Sequence, residues 1–212
     1  WDGGVNKKLR FVLDTAGAGT PTKAIAFLFG SGSSNYTVKN CYITPLTPAI
    51  GKKTLTTISI PTYNTGFNSF AFTRDQDQQV SAGIQLRNIA PLDVNGQNAP
   101  IPGTGRTRDT LRNENNLFDG NIIRNFGFGI LSVGAGPLYR VGNPVDRLYE
   151  EYNNGNNRFS NNTITDVGRA GIALAYEQNS TVSNNTIRRV DNTSTTVAHG
   201  AGIWLTTGGF SG

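Results

Sequence analysis

Two nine-residue segments, Phe159–Val167 and Val182–Val190, carry identical or similar residues at seven positions and start twenty-three residues apart. So short a period constrains the fold more than any other feature of the chain. A unit of about twenty residues cannot bury its own apolar side, so successive units must stack and share one continuous core. The frame returns at Phe118–Phe126 and, in a shorter copy, at Val38–Ile43. In each copy an apolar residue is followed by a polar step with Asn and then by Ile. A second element follows, as Ala82–Leu86, Phe128–Ser132, Ala170–Leu174 and Ala201–Leu205, with Gly before Ile each time.

Each unit therefore reads as short strands joined by tight turns, an all-β solenoid of parallel coils. Residues two apart on a strand point to one side, so Ile123, Ile164 and Ile187 are expected in one interior ladder and Ile172 near Ile203. A slip of one residue would expose every Ile, which pins the register. Asn162 and Asn185 are expected to form an amide ladder at the turn between strands. The Gly before each second Ile suits a bend, through positive φ or crowded backbones. The chain 1–212 reads as a single β-helix segment with inserted loops at about 44–57, 90–115 and 134–157, and it is expected to be part of a longer chain.

Composition supports a thin, turn-rich architecture. Hydrophobic residues make up 36% and charged residues 16%, with 26 Gly, yet β-branched and aromatic residues recur in register, which separates the chain from disordered sequences. The formal net charge is +5, but the basic residues are scattered and lack a stripe with interleaved aromatics, which argues against nucleic acid as a partner. No apolar run is long enough to insert directly into a membrane as a helix. One Cys, one His and no Met exclude an internal disulfide and supply almost no soft metal donors. Cys41 reads as a small buried hydrophobe, and His199 has no second histidine with which to share a metal. No cofactor and no metal site are expected.

The order of Trp1–Gly4, Leu9–Leu13, Ala24–Phe29 and Asn35–Ile43, followed by the repeats, resembles the right-handed parallel β-helix superfamily of pectate-lyase-like proteins. Within it, the chain is similar to secreted cell-surface proteins of Bacteroidota that leave the cell by type IX secretion. The resemblance covers nearly the whole chain and implies a secreted or outer-cell-surface location. It speaks to fold more than to activity, since the superfamily holds lyases, hydrolases, adhesins and stalks. It also implies O-glycosylation at Thr15 and Thr110, each of which follows an Asp. The N-glycosylation-type triplets at Asn35, Asn161, Asn179, Asn184 and Asn192 are explained by turn composition.

Candidate site residues are few. Asp166 and Asp191, with Arg188 and Arg189, follow the repeated Ile, but they read as solvated turn residues because no further carboxylate joins them. No catalytic residue is assigned. Tyr139, Arg140, Arg147, Tyr149 and Tyr152 place aromatic faces beside cations in the 134–157 insertion, a combination that suits a glycan or a partner protein. The expected function is a structural or adhesive segment; the alternative is a fragment of a polysaccharide-active lyase or glycoside hydrolase. Trp1–Gly4 looks too short to cap the first coil, and the end after Leu205 should be covered by flanking chain or a partner.

Overall fold

The computed structural model describes residues 1–14, 25–30, 32–46, 81–87, 112–134, 137–138, 150–151, 153–190 and 200–206. These form five stacked coils. The first holds β1 (Arg10–Leu13) and β2 (Ile25–Phe29); the second holds β3 (Thr37–Lys39), β4 (Tyr42–Pro45) and β5 (Ala82–Arg87). The third holds β6 (Leu117–Asp119), β7 (Ile122–Arg124) and β8 (Phe128–Val133). A short antiparallel pair, β9 (Pro137–Leu138) with β10 (Glu150–Glu151), branches off after it. The fourth holds β11 (Asn154–Gly155), β12 (Arg158–Ser160), β13 (Thr163–Val167) and β14 (Ala170–Ala175). The fifth holds β15 (Glu177–Gln178), β16 (Thr181–Ser183), β17 (Thr186–Val190) and β18 (Ala201–Thr206).

Stacking turns equivalent strands into three parallel sheets. Sheet I runs β3-β6-β12-β16, sheet II β1-β4-β7-β13-β17, and sheet III β2-β5-β8-β14-β18. β11 and β15 pair in a small fourth ladder. The chain is a parallel β-helix. Ile43, Ile123, Ile164 and Ile187 are paired in succession through sheet II, and Ile172 lies beside Ile203 in sheet III, as the repeat frame requires. On sheet I, Val38, Phe118, Phe159 and Val182 form the matching column, with the Phe118 and Phe159 rings stacked at 5.5 Å.

Polar groups inside the stack are paired along asparagine ladders. Asn121 Oδ1 accepts the Cys41 N–H at 3.0 Å, Asn162 Oδ1 accepts the Asn121 N–H at 3.0 Å, and Asn185 Oδ1 accepts the Asn162 N–H at 2.9 Å. The Nδ2 groups of Asn121, Asn162 and Asn185 donate back to the carbonyls of Val38, Phe118 and Phe159. Cys41 occupies the ladder position of the second coil and is fully buried. A second ladder runs through Asn116 and Asn157 to Ser180. Three turn columns take left-handed backbone conformations: Asn35, Asn115, Asn156 and Asn179; Asn40, Gly120, Asn161 and Asn184; and Asn125, Asp166 and Arg189. Asn tolerates positive φ better than most residues with a side chain. Four of the five glycosylation-type triplets thus begin at backbone corners, with Asn192 outside the described residues.

The Gly before the second Ile answers to crowding, not to φ, at Gly83, Gly129 and Gly171, while a Cβ on Gly202, on the last described rung, would meet nothing. A Cβ on Gly171 would lie 2.6 Å from Ile187 Cγ2 and 2.7 Å from the Gly202 carbonyl. The coil resumes before the inserted stretches were expected to end, since Asn113 and Asn154 belong to a ladder that joins Ser33, Asn113 and Asn154. At the first coil, residues 1–3 extend sheet I by a parallel bridge from Asp2 to Lys39. Gly3 N–H donates to the Lys39 carbonyl at 3.0 Å, the Trp1 carbonyl accepts from Lys39 N–H at 2.9 Å, and the Trp1 ring meets Phe27 edge-on at 5.4 Å.

Candidate functional site

Three polar or charged nodes stand out, the first of them set by a turn column. The first joins three coils across sheet II. Arg189 Nε and Nη2 both donate to the Asp166 carboxylate at 2.6 Å, and Arg124 Nη2 approaches the same carboxylate at 3.3 Å. The Arg189 hydrogen bonds hold the Asp166 carboxyl well below its usual range, helped by Thr165 and Arg124. Committed to two guanidiniums, Asp166 is a staple between rungs and is not available as an acid or base. Asp191, its expected neighbour, lies outside the described residues. Arg188 pairs with Thr165 in sheet II.

The folded-state value of Asp166 lies below its ordinary 3.8. The pairing therefore contributes stability above that pH and loses it as pH falls through the depressed value. Asp166→Asn keeps the left-handed backbone and removes only the charge. It is expected to cost at most about 1 kcal/mol near pH 7, because the pair is solvent-screened, and progressively less below about pH 4. Urea melts across that range check this; a difference independent of pH contradicts it.

The second node ends the Asn116–Asn157 ladder. Glu177 Oε1 accepts from Asn157 Nδ2 at 2.6 Å and from Ser180 Oγ at 2.7 Å, and Ser132 Oγ donates to Oε2. Asn154 Nδ2 in turn donates to Ser132 at 3.0 Å. Burial pushes the Glu177 carboxyl up, and these hydrogen bonds oppose the shift. Glu177 Oε1 accepts from Asn157 Nδ2 as Asn157 Oδ1 accepts from Asn116 Nδ2 one rung earlier, so this node closes a structural network.

The third node lies on the outer face of sheet III. That face is apolar, with Ala82, Phe128, Leu131, Val133, Ala170, Ala173 and Ala175 buried and Trp204 partly so. Arg169, at the corner leading into β14, is only 4% exposed. Its guanidinium carbon sits 5.2 Å from the centre of the Trp204 ring. Its Nε has no hydrogen-bond partner, and no carboxylate among the described residues pairs with it. Desolvation lowers its pKa. Stacking on an indole returns about 2 kcal/mol, against a desolvation cost of several kcal/mol for a buried ion.

Strands of sheet III adjoin the long connections in sequence. Residues 15–24, 47–80 and 191–199 lead into β2, β5 and β18, and residues 88–111 follow β5. β9 and β10, which bracket Tyr139, Arg140, Arg147 and Tyr149 in sequence, follow β8. Those four residues, with Tyr152, Thr15, Thr110 and His199, lie outside the described residues. The sequence reading missed Arg169 and the apolar outer face. The signal was present in Ala170–Ala175, an unbroken apolar run where alternation would mark a half-exposed strand.

The family model described as periplasmic copper-binding protein (NosD) matches residues 64–209. No curated protein and no solved structure matches the chain. A copper centre needs imidazole, thiolate or thioether donors, and the chain has one His, one Cys and no Met. Cys41 is fully buried at a ladder position, its Sγ donates to the Lys39 carbonyl at 3.1 Å, and burial raises its pKa. No group of three or more His, Cys, Asp or Glu side chains gathers among the described residues. The donor set of this chain does not fit copper. The match over most of the chain and the stack of parallel coils agree on the family, and this chain belongs to the NosD family of extracytoplasmic parallel β-helix proteins.

Proposed function

We propose that the chain is a structural and adhesive segment of an extracytoplasmic β-helix, which engages a glycan or a partner protein along sheet III. The observation that carries this reading is the apolar outer cluster of sheet III, whose strands adjoin the long connections in sequence. A rigid stack of rungs holds such connections at fixed spacing, and insertions in solenoids commonly form the functional face. Tyr139, Arg140, Arg147, Tyr149 and Tyr152 supply the aromatic and cationic chemistry for the contact. The enzymatic alternative lacks support in the described residues, because Asp166 is held by two arginines and Glu177 by the ladder terminus.

The finer reading places the protein at the outer cell surface, exported as the type IX cargo of Bacteroidota that its sequence resembles, with Thr15 and Thr110 as O-glycosylation acceptors. Ile203 and Leu205 on the last rung are 48% and 67% exposed, which supports flanking chain or a partner protein over that end. The test replaces residues 139–149 by a Gly-Ser linker. Binding of the whole chain to a glycan array and to immobilised surface extract is then measured before and after. At least a tenfold loss is expected, with unchanged circular dichroism. Binding that survives the replacement would remove the insertion from the contact, and resistance of the protein to protease added to intact cells would remove the surface location.

A further inference from the structure

We propose that Arg169 and Trp204 form an oxyanion-binding site on the outer face of sheet III, receiving a carboxylate or sulfate group. Arg169 is buried on the described surface and makes neither an ion pair nor a side-chain hydrogen bond there. The other described arginines with short contacts are accounted for: Arg10 lies over Tyr42, and Arg124 and Arg189 hold Asp166. A buried guanidinium retains its full set of donors in a planar fork, which matches the two oxygens of a carboxylate or sulfate. Trp204 fixes the plane of that fork from one side at 5.2 Å.

The neighbouring residues on the described strands are small. Arg169 is bracketed by Gly168 and Ala170; Ala201 lies opposite Ala170, and Ala173 opposite Trp204. The backbone of Arg169 is fixed independently of any ligand, since its N–H donates to the Gly127 carbonyl at 2.7 Å and its carbonyl accepts from Ala201 N–H at 3.0 Å. The coil thus sets the backbone, and Trp204 lies against the guanidinium. Desolvated walls strengthen the attraction over its value at an exposed Arg.

Fluorescence titration of the whole chain tests this, with Trp1→Phe introduced so that Trp204 alone reports. Sodium sulfate, acetate and glucuronate are added at constant ionic strength set with chloride. Saturable change in Trp204 emission is expected with sulfate and with at least one carboxylate. Arg169→Gln should weaken it at least tenfold, while Arg169→Lys restores part of it. Tighter saturation by glucuronate than by acetate assigns the acid group of a sugar; equal saturation assigns a small free anion. Either result supports the site. A response that follows chloride, or an unchanged curve in a folded Arg169→Gln chain, overturns it. Should Arg169→Gln not fold, the Arg169 Nε–Hε NMR signal of the parent carries the test: a shift saturating with sulfate supports the site, and an unmoved signal overturns it.

Discussion

Ile164→Ala is expected to lower the stability of the coil stack by about 2–5 kcal/mol, toward the upper end of that range. Ile164 is fully buried and sits between Ile123 and Ile187 in the sheet II ladder. Its neighbours cannot close over the gap. The rungs are held at a spacing of about 4.8 Å by backbone hydrogen bonds, and a cavity that cannot collapse costs more than the transfer of the lost methyl groups. For a chain of this size the melting midpoint should fall by roughly 10 °C. Ile164→Val, which removes one methylene, should cost about 0.5–1.5 kcal/mol. Ile203→Ala offers an internal comparison, because Ile203 is already 48% exposed on the last rung and should cost under about 1 kcal/mol. Chemical denaturation of the three variants measures the order. Equal losses for Ile164→Ala and Ile203→Ala would mean that the interior is not the tightly packed column described.

The second large effect belongs to the asparagine ladder. Asn162 accepts from the Asn121 backbone N–H, donates to the Phe118 carbonyl and is joined to Asn185 on the next rung. Asn162→Ala leaves the buried Asn121 N–H without its acceptor, an orphan that costs about 1–3 kcal/mol, and also removes the side-chain bonds to the Phe118 carbonyl, Asn121 and Asn185. The expected loss is about 2–5 kcal/mol, similar to that from the apolar column although the residue is polar. Hydrogen exchange distinguishes the cause. The Asn121 amide should exchange about 100-fold faster, while amides of the Asn116–Asn157 ladder change little, because solenoid repeats couple mainly to their neighbours. Asn162→Asp, which sets a buried carboxylate oxygen against the Phe118 carbonyl and the Asn185 amide oxygen, should cost at least as much as Ala. Asn121 protection unchanged in Asn162→Ala would show that the side-chain ladder is not what satisfies the backbone.

These two residues also show how the fold could be read before any coordinates. Ile164 and Asn162 belong to one nine-residue frame that recurs twenty-three residues later, and the solenoid gives spacing a direct meaning: residues in like positions of the frame lie on top of each other. The interior Ile column, the Asn ladder, the Val38–Phe118–Phe159–Val182 column and the burial of Cys41 all follow from that alignment. Local backbone demands were visible as well, since Asn and Gly recur where the chain turns with positive φ.

What lies across the coils was not legible in the same way. The Asp166 staple needs Arg124 from forty-two residues earlier and Arg189 from twenty-three later, and the first distance includes an insertion that hides the period. Glu177 acquires its partners Ser132, Asn157 and Ser180 from three separate coils. Arg169 reads in the sequence as an ordinary charged residue in a short turn, and only the stacking of the fifth coil puts Trp204 beneath it. By itself, the sequence determined the rung, its register and the residues that face inward, because a period of twenty-three leaves one way to bury the Ile positions. The tertiary structure decided which outer face is apolar and which described charges are paired. Those properties depend on residues brought together across several rungs at distances along the chain that insertions make irregular.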